Sequence, residues 1–134
     1  MTETESVIRG YYAAFAAGDR LAMLALLAED VAHDVNQGQR QTGREAFRAF
    51  LAHMDACYRE EIRDLAVMVD GTGTHAAAEF VVEGEYLATD SGLPEARGQR
   101  YSLPAGAFFT LAEGRITRVT TYYNLADWIR QVAA

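Results

Sequence analysis

The sequence predicts one α+β domain, in which helices cover one face of a curved and mostly antiparallel sheet. Apolar residues recur at helical spacing through residues 2–58, whereas alternation with a period of two dominates residues 62–123. A further helical pattern closes the chain. Helices grouped before strands are typical of α+β folds. At 134 residues the chain fits one domain, which we expect to span 1–134.

The first two helices are predicted from their caps. Thr2 and Glu5 form a capping-box pattern, and Gly18 offers a left-handed stop. Asp19 can cap a short second helix, which precedes a strand at 31–36. Alternation divides this strand into two faces. One face carries Val31, His33 and Val35, and the other carries Ala32, Asp34 and Asn36.

A long third helix is predicted to open at Arg44, and the strands follow it. Its apolar stripe consists of Phe47, Phe50, Leu51, Met54 and Tyr58. Turn residues separate the later elements, and Asn124 can cap a last helix. The expected strands are a segment from Ile62, a second at 78–86, a third at 99–111 and a fourth at 115–123. Pro104 and Gly106 indicate a bulge or a sheet edge in the third.

Composition excludes several classes of function. The net charge of −7 disfavours nucleic acids and anionic membranes as partners. All 12 basic residues are arginine, so lysine-dependent Schiff-base and phosphate-loop chemistry is excluded. The acidic start lacks the pattern of a signal peptide, and no apolar run reaches membrane-spanning length. We therefore expect a cytoplasmic protein without nucleic-acid or membrane partners.

The three histidines show no spacing that resembles a metal site. His33 is expected to be structural, His53 lies on the polar side of the third helix, and His75 lies beside a hairpin. Cys57 falls in a helical apolar pattern, which favours packing over reactivity. No nucleotide-loop or serine-elbow motif occurs. The sequence therefore predicts no metal and no cofactor. It does predict a small apolar ligand, in a hollow between the sheet and the helices.

Three strings carry a family resemblance that covers nearly the whole chain. They are Tyr11 to Gly18-Asp19, Val31-Ala32-His33-Asp34 leading into Gly43-Arg44-Glu45, and Gly114-Arg115-Ile116 leading into Tyr122-Tyr123. The chain thereby resembles the ketosteroid isomerase and polyketide-cyclase branch of the nuclear transport factor two-like superfamily. The resemblance implies a ketosteroid isomerase-like domain, whose sheet wraps around helices into a cone with an apolar cavity, a cystatin-like α+β roll.

The resemblance also implies catalytic roles. Tyr11 stands eight residues before Asp19 and matches the oxyanion-binding tyrosine of the isomerases, whereas Asp34 matches their catalytic base. Their second, protonated aspartate has no counterpart, because Gly106 or Ala107 stands in its place. Neither residue can donate a side-chain hydrogen bond. We therefore expect weak or absent steroid isomerisation.

Each candidate also has a structural interpretation from the residues alone. A carboxylate beneath apolar walls resists ionisation and can act as a base, but the residues alone favour Asp34 as an exposed strand-end aspartate or a local cap. The Tyr11 ring belongs to the apolar stripe of the first helix, and its hydroxyl could meet a substrate, a carbonyl or another side chain.

The resemblance extends to substrate-binding residues, which are Val119, Thr121 and Tyr123 on the last strand and Phe80 and Val82 on a middle strand. Core packing is the alternative for the apolar members.

The leading hypothesis is a cofactor-independent enzyme that moves a proton on a small apolar carbonyl substrate, of the isomerase, cyclase or dehydratase type. Two alternatives stay open: an epoxide hydrolase-like enzyme that uses Asn36 and Tyr123, and a non-catalytic ligand-binding module. We also expect a homodimer, because the resembled families pair through the outer faces of their sheets.

Overall fold

The computed structural model describes residues 1–35 and 38–133, which form helices and one sheet. In chain order the elements are α1 (Glu3–Ala16), α2 (Arg20–Ala25), β1 (Leu27–Val35), β2 (Gln41–Thr42), α3 (Arg44–Cys57), β3 (Tyr58–Val69), β4 (His75–Tyr86), β5 (Arg100–Ala112), β6 (Arg115–Tyr123) and α4 (Leu125–Ala133). The predicted α+β class with a single curved, open sheet is confirmed.

The sheet has six strands in the order β2-β1-β6-β5-β4-β3. Strands β3 to β6 form an antiparallel meander, and β2 also pairs antiparallel with β1. The pairing of β1 with β6 is parallel and joins the first strand of the chain to the last. The expectation of a mostly antiparallel sheet therefore holds.

The predicted caps start three of the helices. The Thr2 hydroxyl accepts a hydrogen bond from the Glu5 amide at 3.0 Å, and Asp19 Oδ1 accepts from the Ala22 amide at 3.0 Å. Before α4, Asn124 Oδ1 accepts from the Asp127 amide at 3.0 Å. Each side chain satisfies an amide that the first helical turn leaves without a partner.

The structure differs from the prediction at four places. β1 begins at Leu27 and β3 begins directly after α3, because pairing with β6 and β4 extends both strands beyond their alternating patterns. The two-residue β2 lies between the first predicted strand and the third predicted helix, where no strand was predicted. β5 is an interior strand, and its register shift falls between Thr110 and Leu111 instead of at Pro104. Pairing between strands in the folded sheet determines all four of these differences.

The core has two parts on the inner face of the sheet. The larger part packs α1, α2 and α3 against the middle strands, with Ile8, Leu27 and Phe109 fully buried. The smaller part lies under α4, where Trp128 packs edge-on against Tyr86 at 4.9 Å between ring centroids. The region between the two parts stays open.

Three paired residues on neighbouring strands form the part of the sheet that lies beside α4. Glu60 of β3 pairs with Gly84 of β4, and Gly84 pairs with Tyr101 of β5. The Tyr101 ring lies over Gly84, where any Cβ would overlap it. The Tyr101 hydroxyl passes across the glycine and donates to Glu60 Oε2 at 2.6 Å. Gly84 is therefore needed for this bond.

Replacing Gly84 with alanine should displace the Tyr101 ring and destabilise the protein. We expect Gly84→Ala to lower the free energy of unfolding by about 1–3 kcal/mol, the usual cost of overpacking. Gly71→Ala is the matched control, because a Cβ there meets no atom within 4 Å. Urea denaturation of both variants checks this, and equal stability of the two would contradict the role given to Gly84.

Candidate functional site

A cavity of about 590 Å³ lies between the inner face of the sheet and the helices. Most of its wall is aromatic or aliphatic, as expected for a small-molecule site. The polar side chains on the wall include Tyr11, His33, Glu60, Tyr123 and, toward helices α2 and α3, Arg20, His53, Asp55, Tyr58 and Asp90. A wall that is mostly apolar, with polar groups at particular points, favours a ligand that is largely hydrocarbon but carries an oxygen.

Tyr11 projects from α1 into this cavity. Its ring is buried and packs edge-on against Tyr12 at 5.2 Å and Phe109 at 5.9 Å. Burial raises the pKa of the Tyr11 hydroxyl above its ordinary value, and the nearby Arg20 cation opposes this only in part. The phenol is therefore neutral at physiological pH and is suited to donate a hydrogen bond to a ligand oxygen.

Glu60 is a cavity carboxylate that sequence reasoning missed. It lies near the start of β3, and Tyr101 holds one of its oxygens. Burial raises the pKa of Glu60, outweighing the opposing effects of the Tyr101 hydrogen bond and the Arg20 charge. A carboxylate with a raised pKa is a stronger base than an exposed one. The same cation thus acts on both Glu60 and Tyr11.

Asp34 lies outside the cavity, so its predicted orientation is wrong. It projects from the opposite face of β1, where Arg40 donates to both carboxylate oxygens, at 2.7 and 2.9 Å. The Thr120 hydroxyl donates to Asp34 Oδ2 at 2.7 Å. These hydrogen bonds, Arg40 first, lower the pKa of Asp34 to about 2. Asp34 and Tyr11 therefore do not face a common space.

His33 takes the inward position on β1 that Asp34 was expected to occupy. Its side chain is 4% exposed and packs against the rings of Phe47 at 4.3 Å and Phe50 at 4.5 Å. Burial lowers the pKa of His33 to about 4, despite the opposing charge of Asp34. The imidazole is therefore neutral at physiological pH. His33 was expected to be structural, but it also lines the cavity.

The proton on the neutral His33 ring can be assigned from its surroundings. Nδ1 is sealed from solvent and has no hydrogen-bond partner within residues 1–35 and 38–133. Burying an unpaired N–H costs more than burying a lone pair that accepts only weakly. We therefore assign the proton to Nε2. The alternation of Val31, His33 and Val35 was the sequence signal for this inward face.

Five of the other six residues expected to bind substrate line the cavity. They are Phe80, Val82, Val119, Thr121 and Tyr123. Burial raises the pKa of Tyr123, and the charges of Glu60 and Asp90 raise it further. Asn36 lies outside the described residues.

Two clusters of polar groups lie where helices α2 and α3 meet the cavity. Arg20 forms a two-point ion pair with Asp55, at 2.6 and 2.9 Å. Asp90 accepts from the Tyr58 hydroxyl at 2.7 Å and lies 2.9 Å from His53 Nε2. Sequence reasoning missed both clusters, because they join segments that lie far apart in the chain.

The fold and the site define an α+β protein with one open sheet whose inner face and helices enclose a small-molecule cavity. The sequence profile of the SnoaL-like domain matches residues 8–119. The chain belongs to the SnoaL-like domain family, within the nuclear transport factor two-like proteins, and the family prediction is confirmed.

Crystal structures of bacterial proteins agree with this. A candidate polyketide cyclase from Pseudomonas putida KT2440 is 59% identical, with a TM-score of 0.95 over 98% of each chain. Another from Silicibacter sp. TM1040 is 58% identical, with a TM-score of 0.96 over 98% of this chain and 96% of that one. An LEH-like epoxide hydrolase of M. tuberculosis, 17% identical, shares the fold with a TM-score of 0.77 over 98% of this chain and 90% of its own.

No curated protein matches the sequence. Among residues 1–35 and 38–133, no helix is long and apolar enough to cross a membrane.

The buried His33 should make the protein sensitive to mild acid. Because its folded pKa of about 4 lies below the ordinary 6.5, the unfolded chain binds the proton more readily. Stability is therefore complete above pH 6.5 and falls toward pH 4, by at most about 1.4 kcal/mol per unit. We expect His33→Phe to remove this loss, as measured by urea denaturation from pH 7 to 4.

Glu60 titrates with the opposite sign, because its pKa is raised, but it is present in both proteins. The difference between wild type and His33→Phe therefore reports His33. Two parallel stability curves would contradict a buried neutral imidazole.

Proposed function

We propose that this protein is a cofactor-independent enzyme that transfers a proton on a small apolar carbonyl substrate, with Glu60 as the base and Tyr11 as the donor to the oxygen. The observation that carries the proposal is the presence of a desolvated carboxylate and a neutral phenol on the wall of one apolar cavity. Isomerases, cyclases and dehydratases all begin with such a transfer.

The chemical step follows from these two groups. The Glu60 carboxylate removes a proton from the carbon next to the carbonyl, and the C–H electron pair moves to form an enolate. The negative charge then develops on oxygen, where the Tyr11 hydroxyl donates a hydrogen bond. Protonated Glu60 can return the proton to another carbon or to oxygen. His33 Nε2 offers a further neutral donor on the same wall.

The surroundings of Glu60 favour it over Asp34 as the base. An aspartate with a pKa of about 2, held by Arg40 and Thr120, is a weak base and lies on the other face of β1. Glu60 has the opposite properties: it is partly buried on the cavity wall, burial raises its pKa, and the Tyr101 hydroxyl donates to Oε2. Efficient general bases have pKa values near the working pH.

Two relatives that are 58–59% identical are described as candidate polyketide cyclases. Cyclisation of a polyketone requires a carbanion next to a carbonyl, which a cavity base generates. Their description therefore supports a ring-closing reaction within the proposed class.

Proton removal can be measured directly as deuterium incorporation into bicyclic aryl ketones such as α-tetralone, followed by NMR in D₂O. We expect Glu60→Gln to slow exchange by roughly a hundredfold to ten-thousandfold, because the base is lost. Tyr11→Phe should slow it by about a hundredfold to a thousandfold, because one oxyanion donor is lost.

Glu79→Gln is the matched control, since this glutamate is exposed on β4 and is not part of the cavity wall. Asp34→Asn should be measured alongside. Loss of exchange in Asp34→Asn but not in Glu60→Gln would contradict the assignment. Ketone binding without exchange would favour a ligand-binding module, and turnover of epoxides alone would favour an epoxide hydrolase.

We further propose that the protein forms a homodimer through the outer face of its sheet. Phe108 of β5 and Tyr122 of β6 project from that face, 47% and 51% exposed, and pack edge-on at 5.7 Å. Two large aromatic rings side by side on an exposed sheet face are typical of an interface core. A second copy would cover the pair.

Light scattering at micromolar concentration should report twice the mass of the chain. Phe108→Glu and Tyr122→Glu should each shift the protein toward monomer, because a charge would be buried in the interface. Leu21→Glu is the control, since Leu21 is 68% exposed on α2, away from the sheet. A monomeric wild type would contradict this proposal.

A further inference from the structure

The C-terminal turn of α3 presents two metal-binding side chains on one face. His53 and Cys57 are four residues apart in the helix, so their side chains lie one turn above the other. Asp90 approaches them from the loop after β4. A ring nitrogen of His53, Cys57 Sγ and an Asp90 carboxylate oxygen all lie within 4.8 Å of one another.

The loop that carries Asp90 is fixed to the end of this helix. The Cys57 carbonyl accepts hydrogen bonds from the amides of Leu87 at 2.7 Å and Ala88 at 3.3 Å. The Asp90 amide donates to the Tyr86 hydroxyl at 2.9 Å. Backbone and side-chain bonds therefore hold the carboxylate opposite the helix.

Tyr58 orients the Asp90 carboxylate. Its hydroxyl donates to Oδ2 at 2.7 Å, which leaves Oδ1 facing His53 at 2.9 Å. A hydrogen bond to the outer oxygen of a ligating carboxylate is a common way of aiming the inner oxygen at a metal. One carboxylate oxygen is thus already committed to a protein donor, and the other points at the imidazole.

We propose that His53, Cys57 and Asp90 form a binding site for a zinc-type divalent cation beside the cavity. Imidazole, thiolate and carboxylate are the three ligand types that zinc takes in proteins. Ligand atoms around a tetrahedral zinc stand roughly 3.3–3.7 Å apart, given its bond lengths. The observed separations between ligand atoms run from 2.9 Å to at most 4.8 Å. Side-chain rotations that move these atoms by about 1 Å would bring them to this geometry.

The site would leave one coordination position open. His53, Tyr58 and Asp90 line the cavity, so that position faces the space in which a ligand would lie. Three protein ligands with one open position characterise zinc sites that bind water or a substrate oxygen. The site is distinct from Glu60 and Tyr11, and its existence does not depend on the proposed proton transfer.

The site could not be predicted from the sequence, because Asp90 is far from His53 and Cys57 along the chain. Spacing among the histidines gave no metal pattern, and Cys57 was assigned to packing. Asp90 follows the helix by more than thirty residues and lies between the predicted strands at 78–86 and 99–111. Only the close approach of the loop to α3 brings the three ligands together.

Calorimetric titration of the full chain with Zn²⁺ tests the proposal, and Co²⁺ serves as the spectroscopic probe. We expect one ion per chain and, with Co²⁺, a near-ultraviolet charge-transfer band that reports a thiolate ligand. Cys57→Ser should abolish that band, and His53→Gln should weaken zinc binding by at least tenfold. Tyr58→Phe should weaken it about tenfold or more, as for other groups that orient ligands.

His75→Gln is the matched control, because His75 and Asp70 form a second surface His–Asp pair, 3.7 Å apart. Circular dichroism of each variant verifies folding. His53 is half exposed, so its substitution provides a readout even where Cys57→Ser unfolds the chain. Absence of zinc binding, or binding that His53→Gln leaves unchanged, would overturn the proposal. Loss of binding in His75→Gln alone would also overturn it.

Discussion

A partly buried carboxylate that needs a hydrogen-bond donor is the constraint on which the rest of the site depends. Glu60 lies in an apolar wall, where an unpaired charge would be costly. The Tyr101 hydroxyl supplies its hydrogen bond from two strands away. That reach is possible because the strand between them carries Gly84, and because Trp128 of α4 packs against the Tyr101 ring at 5.9 Å. The sheet, its glycine and the last helix therefore act together on one oxygen atom.

Much of the fold could be predicted because local chemistry and the global arrangement agree. The caps at Thr2, Asp19 and Asn124 are local signals, and the structure uses all three. The starts of β1 and β3 were predicted wrongly because they depend on distant residues and not on local signals. Their first residues are strand only because a distant strand pairs with them, and no local pattern in a sequence encodes such a partner.

The candidate site was only partly predictable, for a reason visible in β1. A strand alternates its side chains strictly, so the face that carries Val31 and Val35 must be the buried one. His33 shares that face, and Asp34 cannot. The resemblance suggested Asp34, whereas alternation pointed to its neighbour. Glu60 was missed for a related reason, since the strand was expected to start after it. Tyr11 was found because helical spacing and the resemblance agree on it.

The parallel pairing of β1 with β6 has a consequence for how the chain assembles. β1 precedes the meander and β6 ends it, yet Leu27 pairs with Ile116 and Val35 with Thr121. While the ribosome is still producing the second half, β1 has only the two-residue β2 beside it. The helical first half must wait for the meander, and contacts this distant in sequence slow folding. The sheet is therefore complete only once β6 has been made.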